Sequence, residues 1–171
     1  MKVIQELHHF EDGLRPPQPS AAHAWEGGEW ALDANKAALL EQQEAERLCT
    51  RVDAAADSAR NLLAGDPLKA MEYAQAAADA QAFMEEGYPK KEVPQSIAAW
   101  IVKGRTAKQA ADQILDKATQ LTEQLLTLRT LRLKAKAQIN AHISKGKTDL
   151  AREVSEAAIV AIRSVVSDSA R

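Results

Sequence analysis

One cysteine, six prolines, seven glycines and seven aromatic residues are all that the 171 positions hold of those types. Cys49 alone cannot close an internal disulfide. With no CxxC or Cys/His cluster around it, it offers no metal site, and a single thiol fits a reducing cytoplasm. Neither charge sign is in excess: 22 basic residues face 24 acidic ones, a net −2, with both signs interspersed. That balance argues against a nucleic-acid backbone or an anionic membrane as partner. Long apolar runs are missing too. The longest, AAIVAI at 157–162, is too short to span a bilayer. The N-terminal MKVIQELHHFED lacks the uninterrupted apolar stretch of a signal peptide, so the protein is expected to stay in the cytoplasm where it is made. GxGxxG, Walker A, HExxH, GxSxG and zinc-ligand spacings are all absent, so no catalytic residue, metal or cofactor is expected.

What is there is largely helical. Hydrophobic residues make up 46% of the chain, but much of that is alanine. Alanine with Lys, Arg, Glu and Gln describes helices, often elongated or coiled. The exception is the first 32 residues. HAWEGGEWAL at 23–32 sets Trp25 and Trp30 symmetrically about Gly27–Gly28, and both glycines accept the positive φ of a type I′ turn. The register predicted is Glu26 with Glu29, Trp25 with Trp30 and Ala24 with Ala31, which brings the indoles onto a non-hydrogen-bonded pair where side chains touch. Upstream, Val3, Ile4, Leu7 and Phe10 read as a strand or a short helix, with the strand preferred. RPPQPS at 15–20 halts regular structure between the two. Residues 1–32 thus form a small β-leaning head, too small to fold well without packing on something else.

Residues 33–87 read as a first helical hairpin. Asp33 caps a helix with Ala38, Ala45, Leu48, Val52, Ala55, Ala59 and Leu62 on one stripe. After Gly65, Asp66 as N-cap and Pro67 at the first helical position open a second, with Ala70, Tyr73, Ala74, Ala77, Ala80 and Met84 on its stripe. The short link predicts antiparallel packing. Residues 88–171 read as a linker, a short helix after Pro94 carrying Ile97, Trp100 and Ile101, and a long C-terminal helical hairpin. Thr106 and Gln109 form a capping-box pair at the start of a helix of roughly 39 residues, about 58 Å at 1.5 Å per residue. That exceeds the roughly 40 Å of a compact globule of this size, so the molecule is elongated or the helix breaks near Arg132. Its stripe, Ile114, Ala118, Leu121, Leu125, Leu128, Arg132, Ala135 and Ile139, is a heptad pattern with one charged intrusion, serving an intramolecular or homo-oligomeric contact. Arg132 sets register, meets an acidic partner, or snorkels to solvent. After Gly146, Thr148 recaps a last helix with Leu150, Val154, Ala157, Ala161 and Val165.

Few residues invite a chemical reading. His8 and His9 point to opposite faces of a strand and cannot grip one metal; His23 and His142 have no sequence partners. Glu41, Glu44, Glu85 and Glu86 belong to solvated helical faces, and Cys49 sits within the first helix as a small packing or surface residue rather than a nucleophile. Trp25 and Trp30 either pack on each other and their own head or contact a partner.

Three stretches together carry a family resemblance. The head contains W-E-G-G-E-W-x-L-D, and downstream come VPQSIAAW, GRTAKQAADQIL and LRTLRLKAKAQI in that order. In the order of these stretches the chain resembles the tail-fibre assembly proteins of tailed phages and of R-type pyocins, over about half its length. It departs from that pattern at Arg105, where an aromatic often precedes the Thr-Ala pair, and residues 34–86 have no counterpart in it. The resemblance implies a non-enzymatic chaperone that binds the C-terminal region of a trimeric tail fibre protein while it folds and trimerises. Fibre tips are β-rich and slow to assemble, and they expose strand edges meanwhile. The expected partner-binding residues are Trp25, Trp30, Phe10 and Leu7 of the head, together with Trp100. The competing readings are an elongated helical homo-oligomeric adaptor joined along Leu121–Ile139 with no client, and a DNA-binding regulator using the basic 105–147 segment, which the overall charge disfavours.

Overall fold

The computed structural model of the chain describes residues 6–11, 13–102 and 104–169. Val3 and Ile4 of the expected first strand lie outside them. Four short strands, β1 (His8–Phe10), β2 (Gly13–Arg15), β3 (His23–Glu26) and β4 (Glu29–Leu32), precede five helices: α1 (Ala34–Ala64), α2 (Pro67–Glu85), α3 (Gln95–Ala98), α4 (Ala107–Ile143) and α5 (Thr148–Ser169). The architecture is mainly α, with two antiparallel strand pairs at its N-terminal end.

Helix boundaries follow the capping chemistry. One carboxylate oxygen of Asp33 accepts from the N–H groups of Asn35 and Lys36 at 3.0 Å each. Asp66 accepts from Leu68 at 2.9 Å, with Pro67 opening the first turn behind it. Thr106 and Gln109 complete a reciprocal capping box. Each such cap is worth about 1 kcal/mol. At the far end of α4 the N–H of Lys147 donates to the His142 carbonyl and that of Gly146 to Ile143, both at 2.9 Å. This double closure needs the left-handed φ of 67° that Gly146 supplies. Thr148 is the first helical residue of α5 rather than its cap, because the Lys147 carbonyl already accepts the first helical bond, from Ala151.

The spine is α4. Its 37 residues run without interruption for about 55 Å at 1.5 Å per residue, so the molecule is elongated and does not break at Arg132. The C-terminal half of α4 places Leu128, Ala135, Ile139 and Ile143 against Leu48, Val52, Ala56 and Ala59 of α1 and Ala151, Ile159 and Ile162 of α5, forming one enclosed core. The N-terminal half places Ala110 and Ala111 against Ala80 and Phe83 of α2 and Ile97 of α3, a second and smaller core. The C-terminal part of the α4 heptad stripe, from Leu128 to Ile139, is therefore consumed inside the chain. Leu128, Ala135 and Ile139 are sealed by α1 and α5, so these three serve an intramolecular contact, whereas Leu121 and Leu125 are half-buried and belong to neither core.

Two further expectations are corrected. α1 and α2 do not fold back on each other as a hairpin; they meet only at their junction. Asp53 of α1 reaches Arg132 and Lys136 of α4, whereas the C-terminal end of α2 lies at the start of α4, where the Tyr88 hydroxyl donates to Asp112 at 2.6 Å. Both helices thus run antiparallel to α4, one after the other. The reason is that the apolar stripe of α1 is already saturated by α4 and α5, leaving α2 no face there to pack on. The buried face of α2 also differs from the expected stripe. Phe83 is enclosed with Ala80, while Tyr73 and Met84 are 59% and 36% exposed. Phe83 outbids Met84 because Ile97 of α3 and Tyr88, edge-on at 5.5 Å, close around its ring.

Arg132, the charged intrusion on the stripe, neither snorkels nor meets a foreign acid. Its guanidinium holds Asp53 at 3.1 Å, and Lys136 holds the other carboxylate oxygen at 2.6 Å. Burial alone would raise the Asp53 carboxyl, but hydrogen bonds and charge from Lys136 and Arg132 outweigh it and hold it below the usual carboxylate range.

Candidate functional site

The head assembles from two hairpins. β3 and β4 pair His23 with Leu32, Ala24 with Ala31, Trp25 with Trp30 and Glu26 with Glu29, the register the sequence predicts. Gly27 and Gly28 turn the chain at φ of 60° and 92°, values a type I′ turn requires and glycine alone reaches without strain. On the shared face the two indoles meet edge-on, centroids 5.2 Å apart at 74°. β1 and β2 form the second hairpin, pairing His8 with Arg15, His9 with Leu14 and Phe10 with Gly13, so His8 and His9 do alternate across the strand.

Side chains join the two hairpins. Phe10 tilts onto Trp30 at 5.4 Å. The Arg15 guanidinium lies 4.9 Å from the Trp25 ring and 5.5 Å from Phe10, a cation–π contact with two partners. The Trp30 indole N–H donates to the Pro16 carbonyl at 2.8 Å. RPPQPS thus does more than interrupt the chain: it supplies the cation and the carbonyl that tie the aromatic cluster together. Leu7, just ahead of β1, is 50% exposed.

Burial is where the head departs from an ordinary small domain. No described residue from 6 to 32 is buried, and neither enclosed core contains a head residue. Phe10, Trp25 and Trp30 remain half-buried, and Leu32, two residues after Trp30 on the same face of β4, is 64% exposed. Residues 1–32 carry two basic against five acidic side chains, so the net negative charge of the chain resides here. Glu26 stands directly across from Glu29, and neither makes an ion pair among the described residues.

Trp100 belongs to a different place. Its indole donates to Gln113 of α4 at 3.3 Å, with Lys117 4.7 Å from the ring and Arg105 5.9 Å away. It is 38% exposed, as is Ile101, and Val102 beside them is 55% exposed. α1 leaves the head and runs antiparallel to α4, so the head stands at the C-terminal end of that helix and Trp100 near its N-terminal end. The structure gathers Phe10, Trp25 and Trp30 in one cluster, leaves Leu7 exposed ahead of β1 and sets Trp100 apart. Sequence reading missed Arg15 and Leu32. The Asp-Gly at 12–13 signalled a turn in this stretch, but read as the two turn residues it would pair Glu11 with Leu14, whereas Phe10 pairs with Gly13.

Elsewhere the titratable groups serve the fold. Glu44 accepts from Arg47 at 2.7 Å and from Arg152 at 2.8 Å, and these bonds hold its carboxyl down at about 2. Cys49 is buried, and burial pushes its thiol up. Among the described residues no group of three His, Cys, Asp or Glu could hold a metal ion, and no helix is long and apolar enough to cross a membrane. Comparison with family models, with curated proteins and with solved structures finds no match to this chain.

Proposed function

We propose that this protein is an assembly chaperone for a phage or pyocin tail fibre, docking its N-terminal head on the C-terminal region of the fibre. The observation that carries the reading is the head itself: two tryptophans and a phenylalanine held in fixed geometry on a unit with no buried residue among those described, at one end of a long helical body. Large aromatics that are pre-organised yet half in water are the anchors of protein interfaces. The W-E-G-G-E-W-x-L-D segment that builds them also carries the family resemblance. Each two-stranded sheet has open edges able to pair with an unsatisfied strand of an immature β-rich tip. The work is binding, in the cytoplasm of the producing bacterium, without cofactor, nucleic acid or membrane.

Co-expression with the fibre protein encoded beside it tests this. Soluble trimeric fibre should appear with the chaperone and be lost without it, and Trp30→Ala should abolish both rescue and pull-down. Fibre that trimerises equally well alone, or a Trp30→Ala variant that binds and rescues as wild type does, overturns the assignment.

A further inference from the structure

Two surfaces outside the head are left uncovered, and they match each other. The first is a groove of about 660 Å³ between α1 and α5, floored by Ala55, Ser58, Ala59, Ile159 and Val166 and open at Leu62. Small residues on α1 allow another helix to approach closely. Arg51 on the rim is held by Glu156 at 2.6 Å, whereas Arg163, also on the rim, makes no ion pair among the described residues. The second surface is the outer side of α2. Leu68, Met71, Gln75, Ala78 and Ala82 recur at 3-4-3-4 spacing, all exposed, on the side of the helix away from Ala80 and Phe83. Leu68 and Met71 are 68% and 70% exposed, and Leu62 across the junction is 70% exposed. Glu72 flanks this stripe and is likewise without an ion pair.

The spacing supplies the occupant. α1 and α2 run in the same direction along α4 and meet at Gly65–Asp66. Ala59 on the groove floor lies six residues before Gly65, and Glu72 lies six after Asp66, about 9 Å on either side at 1.5 Å per residue. A two-fold interface requires each patch and its complement to be equally far from the axis. An axis through the junction lays α2 of one copy antiparallel in the α1/α5 groove of the other, and the reverse. It sets Glu72 of one copy beside Arg163 of the other, and closes Leu62 and Leu68 of both copies over the axis.

We infer that a second copy of this chain occupies the groove, forming a two-fold dimer through reciprocal insertion of α2. The contact lies on the helical body and leaves both heads free, so it stands independently of what the heads bind.

Sedimentation velocity of the full chain at tens of micromolar tests it, with circular dichroism to verify helix content in each variant. Wild type should sediment as two 18.6 kDa chains. Met71→Glu and Leu62→Glu alter exposed positions and should weaken association about a hundredfold, each burying a charge without a partner. Glu72→Arg should weaken it roughly tenfold by facing Arg163, and adding Arg163→Glu should restore it. A monomeric wild type overturns the inference, and so does a dimer indifferent to both Met71→Glu and Leu62→Glu.

Discussion

In the helical body Leu48, Val52, Phe83, Leu128, Ile139 and Ile162 are all fully enclosed, whereas in the head even Trp25 and Trp30 keep part of their surface in water. The two regions solve the same problem with different means. The body buries aliphatic side chains along helices long enough to close cores on both halves of α4. The head has too few residues to enclose anything and holds its shape by directional contacts: edge-on rings, a guanidinium over two of them and one indole hydrogen bond. A region held by area resists change at its surface. One held by a few aimed contacts is sensitive to each, and presents the groups that aim it.

The sharpest way to break the contrast is within the body, between its two cores. Phe83→Ala should cost roughly 4 kcal/mol. Because the core around Phe83 is the smaller one, the loss should appear as early hydrogen exchange in α2 and α3 while α1 and α5 stay protected. Leu128→Ala, in the larger core, should cost about 3 kcal/mol and lower the global melting transition in denaturant or heat. Asp53→Ala comes next, at about 2 kcal/mol. It leaves Arg132 and Lys136 without their shared partner, and their partial exposure, 25% and 33%, limits the penalty.

In the head the expected energy is smaller and the signal different. Trp30→Ala removes both ring contacts and should cost about 1 kcal/mol. Near-ultraviolet circular dichroism from the coupled indoles should vanish while helix melting is unchanged; a lowered helix transition would mean that the head and body fold as one unit. The smallest effect is set by pH. Glu44 is held at about 2 in the folded chain against an ordinary 4.5, so its contribution is complete above about pH 4.5 and is lost as pH falls toward 2. Glu44→Gln should flatten that part of the stability profile at a cost of about 1 kcal/mol near neutrality.

Local chemistry was legible in the sequence, and relations across the chain were not. Gly27–Gly28 with its symmetric tryptophans specified turn, register and ring contact, because a two-residue hairpin leaves no freedom in pairing. Asp33, Asp66 and Thr106 marked helix starts because a cap acts within three residues of itself. The relation of α1 to α2 was hidden. A short link permits reversal without enforcing it, and what forbids it here is the prior claim of α4 and α5 on α1. Phe83 was missed because an alanine-rich helix has a period but little phase. The partner of Arg132 is 79 residues away, beyond any reading of spacing. The head's tryptophans were found together, but nothing local could show that Trp100 stands at the other end of α4.

Both cores share α4 and no other helix. That makes the helix a shaft on which two bundles are keyed at fixed angles. Each residue added to or removed from its middle turns one bundle against the other by 100°, which would swing Ala110 and Ala111 off Phe83 long before the change in length mattered. The molecule can therefore grow or shrink only in near-integral turns, close to seven residues or about 10 Å at a time, and only with a matching change along α1 and α2. The distance between the head and the Trp100 end thus comes in discrete sizes.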